Sequence, residues 1–153
     1  MTVHIVTGDL FASRAQTLVN AVNCVGVMGK GIAIEFKTRF PDMFVDYAKR
    51  CKAGEVEIGN PYLFRHSSAL KVLNFPTKRH WRDASRLTDI ETGLTFLEAR
   101  YREWGVTSLA VPALGCGYGQ LQWNEVRPIL IERLGRLDIP IEIYAPLDTR
   151  PTL

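Results

Sequence analysis

The chain has 153 residues, 46% of them hydrophobic and 23% charged, with a formal net charge of +3, the profile of one ordinary globular domain with room for a core. No apolar run approaches the roughly 20 residues of a membrane helix, and the N-terminus enters a strand pattern where a secretory leader would be basic and then apolar. Cys24, Cys51 and Cys116 are odd in number and far apart, without a C-x-x-C pair, so reduced thiols in a cytoplasm are expected and structural zinc is not. Residues 1–146 read as one domain and 147–153 as a polar tail.

Val3–Val6 predicts a strand that ends in the turn Thr7-Gly8-Asp9, and Leu10–Gln16 a loop or a single helical turn. Thr17–Val22 predicts a second short strand. Asn20–Asn23 carry the chain out of it towards Gly26, Gly29 and Gly31. Ile32, Phe36 and Phe40 then recur at helical spacing, so a helix is expected over Gly31–Phe40. Pro41 suits the first turn of a following helix, running through Met43, Phe44 and Tyr47 to about Cys51. Pro61–His66 and Leu70–Phe75 flank Ser67-Ser68-Ala69 as a hairpin. Asp89–Trp104 is the clearest helix, with Ile90, Leu94, Leu97, Tyr101 and Trp104 on one face and Gly105 as its stop. Ser108–Val111 predicts a buried strand ending at Pro112, Asn124–Leu137 a helix, and Ile139–Tyr144 the last strand. Interleaved strands and helices imply a sheet covered on both faces, with the ligand beyond the carboxyl ends of its strands.

The groups able to do chemistry fall at that end. A strand, the glycines at 26, 29 and 31 and a helix start together form an anion-binding shape, because the first-turn N–H groups point at the ligand. Packing of a glycine-rich turn is the plainer reading. Gly29-Lys30 is not a Walker A loop. Cys24 stands where its first glycine is needed, and Gly31 stands where Ser or Thr would hold magnesium. Gly115-Cys116-Gly117-Tyr118-Gly119 is a second anion nest or a tight turn, and two converging nests would suit a diphosphate. Tyr118 could cover a sugar or base. Asp9 reads either as a turn cap or as an acceptor for an adenine amine. Asn20 and Asn23 could bond ribose hydroxyls, with one of them bracing the loop instead.

Residues 62–82 carry five cations and no carboxylate, on an otherwise slightly acidic body. Within that segment Lys78, beside Arg79, His80, Trp81 and Arg82, is the candidate reactive amine. Neighbouring cations lower a lysine pKa and free the amine as nucleophile or base. A solvated basic loop is the alternative. Trp81 among cations suits single-stranded nucleic acid, and equally an ordinary buried anchor. Cys116 and His80 form at most a weak thiol–imidazole candidate without an orienting Asn or Asp. His4 and His66 read as structural, and no metal cluster is visible.

Taken together, Gly8-Asp9-Leu10, the Asn20–Asn23 pair with GVMGKGIA, and PALGCGYGQLQW from Pro112 to Trp123 resemble a macrodomain, an ADP-ribose-binding module. The GKGIA and GCG…LQW forms are similar to the terminal ADP-ribose protein glycohydrolase branch. The string NFPTKRHWR over Asn74–Arg82 is closer to the DNA ADP-ribosyl glycohydrolase antitoxin branch, which removes ADP-ribose from thymine in single-stranded DNA. The resemblance implies a three-layer α/β/α sandwich with a central mixed sheet. It implies ADP-ribose contacts from Gly8, Asp9, Leu10, Asn20, Asn23, Gly29, Lys30, Gly31, Ile32 and Thr77. Leu114, Gly115, Cys116, Gly117, Tyr118, Gly119 and Gln120 complete that set. Lys78 is implied as the catalytic lysine, with Arg79, His80, Trp81 and Arg82 on DNA. No cofactor is implied. The implied partners are ADP-ribose, modified single-stranded DNA and a cognate transferase toxin, and the chain is expected as a monomer. One departure stands out. Protein-directed relatives carry an Asp where this chain has Gly119, and that Asp helps resolve a lysine adduct. Its absence fits a substrate with a better leaving group. A protein-directed hydrolase and a non-catalytic reader are the alternatives.

Overall fold

Leu18, Asn20 and Val22 point one way along the second strand while Val19 and Ala21 point the other, and this two-residue period splits the molecule into two cores. The computed structural model describes residues 2–146, and the expected polar tail over 147–153 lies outside the described residues. Six strands are present: β1 (Val3–Val6), β2 (Thr17–Asn23), β3 (Tyr62–Arg65), β4 (Lys71–Lys78), β5 (Leu109–Val111) and β6 (Ile141–Tyr144). They form one sheet in the order β1-β6-β5-β2-β4-β3. The five strands from β1 to β4 in that order are parallel, and β3 closes the edge antiparallel to β4.

On one face lie α1 (Gly31–Arg39) and α2 (Pro41–Lys52), whose Phe36, Met43 and Tyr47 are fully buried against Leu18, Val22, Val72 and Ala110. On the other lie α3 (Leu87–Arg100) and α4 (Trp123–Leu134). Their Ile90, Leu94, Leu97, Val126, Leu130 and Leu134 meet Val19, Leu73, Phe75, Leu109 and Ile143. Burying each such side chain stabilises the fold by about 1.5–3 kcal/mol. The expected three-layer sandwich with a mixed sheet is the observed fold.

Element ends differ from expectation where local signals compete. β2 runs on to Asn23 and β4 runs through Pro76 to Lys78, past the expected end at Phe75. The register shifts opposite Val22 and Asn23, and such an irregularity is where a strand tolerates the missing proline donor. α3 begins two residues earlier than expected and stops at Arg100, with turns over 101–105. α4 starts at Trp123 behind a capping box between Gln122 and Glu125, and ends at Leu134, although Leu137 is still buried. β6 begins only at Ile141, after Pro140. His66 packs edge-on against Phe40 and meets Asp42, as a structural histidine should, whereas His4 is exposed on the edge strand.

Candidate active site

The carboxyl ends of the five parallel strands open on one cleft of about 1230 Å³. Each strand delivers a segment to its wall: Gly8–Phe11, Val27 with Gly29–Ala33, Thr77 and Lys78 with Trp81 and Arg82, the glycine loop after Pro112, and Tyr144–Pro146. The cleft exceeds the usual span of roughly 300–1,000 Å³ for small-molecule sites.

The first loop is built by Asn23. Its Oδ1 accepts from the Val25 and Val27 N–H groups at 3.1 and 3.4 Å, its Nδ2 donates to Val27 O at 2.8 Å, and the buried Tyr47 hydroxyl donates to its Oδ1 at 2.8 Å. Burial pushes the Tyr47 phenol well above its ordinary pKa, so it remains a donor. The loop ends at α1, where Lys30 is an extended N-cap whose side chain makes no capping bond. First-turn N–H groups are therefore not claimed by a cap, and Gly29–Ala33 face the cleft. Gly31 has φ +60°, and a Cβ there would meet the Tyr118 ring at 3.4 Å. The left-handed backbone is what calls for glycine there, and the second loop closes on the first at this point, with Lys30 Nζ 5.4 Å from the Tyr118 ring centre.

The second loop turns through a single helical turn at Gly117–Gly119 and leaves it at Gln120, whose φ of 69° is left-handed. Its last glycine, Gly119, is packed on Ser85, so a Cβ there would lie 2.6 Å from the Ser85 hydroxyl oxygen. Cys116 is half-buried, and burial with the Glu125 charge pushes its thiol up to about 11. The His80 Nδ1 accepts from the Arg82 N–H at 3.1 Å. The thiol–imidazole pair therefore does not form.

Lys78 ends β4 and is half-buried in place of the expected free loop. Its Nζ donates to the carbonyls of Trp81 at 2.9 Å and Tyr118 at 3.5 Å. Its pKa is lowered, chiefly by burial, with the Lys30 charge adding to the effect and Asp83 opposing it. The expected cause, the neighbouring arginines, is not the one at work.

Most of the expected site residues line the cleft, with four corrections. Asn20 is completely buried, its Nδ2 donates to Asn74 Oδ1 at 3.1 Å, and it does not line the cleft. Leu114 faces the core, 1% exposed. Arg79 turns aside to Asp89 at 3.4 Å, and His80 is held against its own loop, so neither lines the cleft. Trp81 and Arg82 do line it, the indole 46% exposed with the Arg82 guanidinium 5.2 Å above its ring. Asp9 is the turn cap, its Oδ1 accepting from the Phe11 N–H at 2.9 Å, and the residue also borders the cleft. Phe11, Val27, Ala33 and Tyr144–Pro146 lie outside the expected set. The last three sit at the end of a strand, and the rule that placed the glycine loops at strand ends would have found them.

A family profile described as Macro domain matches residues 19–130. The DNA ADP-ribosyl glycohydrolase of Mycobacterium tuberculosis is 46% identical over 144 residues, covering 92% of this chain and 41% of that protein. The chain spans about two fifths of the length of the DNA ADP-ribosyl glycohydrolases it matches. Among solved structures, Thermosipho africanus DarTG in complex with ADP-ribose superposes with a TM-score of 0.93 at 46% identity, over 99% of this chain and 43% of that one. The macrodomain of Mycobacterium tuberculosis DarG gives 0.89 at 44% identity, over 94% and 97% respectively.

Proposed function

The chain belongs to the macrodomain family, and from that premise we propose that it hydrolyses the bond between ADP-ribose and a thymine of single-stranded DNA, as antitoxin to a DNA ADP-ribosyltransferase. The observation that carries this reading is the Lys78 amine, pKa lowered, held at the cleft between the carbonyl of Trp81 on its own segment and that of Tyr118 on the second glycine loop. The names of the relatives, and the ADP-ribose in the Thermosipho structure, support the substrate class.

The residues divide the ligand among themselves. Asp9 keeps Oδ1 on its cap and offers its other oxygen to the adenine amine. The first turn of α1 and the Gly115–Gly119 loop take the diphosphate. Tyr118, 62% exposed, covers the ribose end. There water adds to the anomeric carbon, the C–N bond breaks, its electron pair stays on the imide nitrogen, and the proton from water ends on that nitrogen. The imide anion is resonance-stabilised, so charge stabilisation and water positioning are what the protein must supply. Lys78 as ammonium meets the anion, a contribution of about 2.7–4 kcal/mol by analogy with single oxyanion donors. As free amine it would attack the anomeric carbon instead. At Gly119 a Cβ would crowd the Ser85 hydroxyl, so a carboxylate-bearing residue would need Ser85 to shift, which supports the reading without an adduct-resolving carboxylate.

The test is incubation with an oligonucleotide carrying ADP-ribosylated thymine, with release followed by gel shift and mass spectrometry. Preference for an ADP-ribosylated carboxylate peptide would replace the DNA substrate with a protein one. Tight ADP-ribose binding without turnover would make the chain a reader. The same reading has the chain act as a monomer in the cytoplasm, and a dimer in sedimentation would remove the first of these. No helix among the described residues is long and apolar enough to cross a membrane.

A further inference from the structure

A second cavity, of about 340 Å³, lies behind Lys78. Lys78 is the one residue that lines both cavities, so the two meet at Lys78. The other walls are Arg79, Asp83, Ser85, Arg86 and Asp89, with Ala84. Arg79 is neutralised by Asp89 at 3.4 Å, and Asp83 accepts from the His80 N–H at 3.2 Å. Arg86 takes part in no ion pair among the described residues.

Ser85 is the unexplained group. It is only 6% exposed, and its hydroxyl oxygen is buried without a hydrogen-bond partner among the described residues. Its backbone N–H donates to Gly119 O at 2.8 Å, which fixes the hydroxyl against the glycine loop of the main cleft. A buried hydroxyl left unpaired calls for a partner that arrives from outside. The partition between the cavities thus carries an ammonium, an orphan hydroxyl and, on the far side, an unpaired guanidinium.

We propose that the smaller cavity seats the nucleobase that bears the ADP-ribose, a pyrimidine imide, with the Ser85 hydroxyl and the Arg86 guanidinium donating to its ring carbonyls. The proposal rests on the hydrolase reading, since a glycosidic bond crossing at Lys78 puts sugar in one cavity and base in the other. The volume is at the bottom of the small-molecule range, a size for one ring. A backbone phosphate is the poorer occupant, because it would face the carboxylates of Asp83 and Asp89. An enzyme acting on a base's own bond must draw that base out of its stack, and a walled pocket for it is the usual solution.

The direct test saturates the protein with ADP-ribose and compares a short single strand containing one thymine with the same strand abasic at that position. Phosphates are identical in the two, so only the base differs. The thymine strand is expected to bind about tenfold tighter, and Arg86→Glu, an exposed change that leaves folding intact, is expected to erase the difference. Ser85→Ala is expected to lower turnover of the modified oligonucleotide about tenfold or more while leaving ADP-ribose affinity within twofold. It should not lower the melting temperature, because it removes an unsatisfied group. Equal binding of thymine and abasic strands by the wild type overturns the base seat, whatever the turnover. Failure of the wild type to release ADP-ribose from modified DNA overturns the hydrolase reading instead, and the two failures are read in separate assays.

Discussion

Replacing Lys78 with alanine removes the amine from its two carbonyl acceptors, Trp81 O and Tyr118 O. The shorter bond, at 2.9 Å, is worth about 0.5–1.5 kcal/mol net, and the 3.5 Å contact adds little. Relief of the amine's desolvation offsets part of the loss. Urea denaturation is therefore expected to show about 1 kcal/mol of destabilisation or less, and calorimetry near wild-type affinity for ADP-ribose. Turnover of modified oligonucleotide should fall by about 10²–10³, the scale of one lost charge-stabilising donor. Lys78→Arg keeps the charge with a pKa above about 12, so substantial rescue supports the ammonium role and none leaves the free amine open. The pH dependence separates them again. Because the folded-state pKa is below the ordinary 10.5, the unfolded chain binds the extra proton between the two values, and stability rises with pH in that window. Lys78→Ala should lose that rise. Through the same lowered pKa the rate should climb with pH if the free amine attacks, and decline if the ammonium acts. Full activity of Lys78→Ala on modified DNA would refute the mechanism and move water activation elsewhere in the cleft.

Asp9→Ala is expected to weaken ADP-ribose by about 1.5–3 kcal/mol, while Asp9→Asn keeps the Phe11 cap and loses only the ligand-facing carboxylate; unchanged calorimetric affinity in both variants would take Asp9 off the adenine. Asn20→Ala should cost about 1–3 kcal/mol in denaturation, since Asn74 loses its buried partner, with the ADP-ribose affinity of the folded protein held within twofold. A tenfold affinity loss at unchanged stability would return Asn20 to the ribose. Trp81→Ala and Arg82→Ala should each weaken unmodified single-stranded DNA more than free ADP-ribose, and Arg82→Ala should shallow the salt slope by about 0.7. Salt-independent binding in the wild type would leave that segment a solvated face.

Glycine spacing and apolar period reveal the two loops, the helices and the sheet end at which they meet, because those features depend on neighbours in the chain. The features that escape such a reading depend on the partner across the sheet. Asn20 groups with Asn23 in sequence as a way out of the strand, yet it sits between Leu18 and Val22 on the inward face of β2, and only pairing with Asn74 on β4 shows why an amide is tolerated there. Pro76 argues for an early end to β4, and the register shift that absorbs it is a property of the β2–β4 pair. Lys78 stands out in the sequence as a reactive candidate, but its lowered pKa comes from burial beside Tyr118 and Lys30, which are distant in the chain. The arginines next to it are the visible cause and the wrong one.

The division into two cores bears on how the molecule breathes. α1 belongs to the core that contains Phe36 and Tyr47, while the strand that delivers the Gly115–Gly119 loop, β5, carries Leu109 and Val111 into the other. Among the described residues the sheet lies between the two cores, so native-state hydrogen exchange is expected to show the α1–α2 layer opening below the free energy of global unfolding. An anion gripped by both loops bridges that seam from outside. At a hundredfold excess over its dissociation constant it adds about 2.7 kcal/mol, and hydrogen exchange would register most of it as slowed amides in α1 and α2. On that expectation the cleft is also a clasp, tying one core to the other across the sheet.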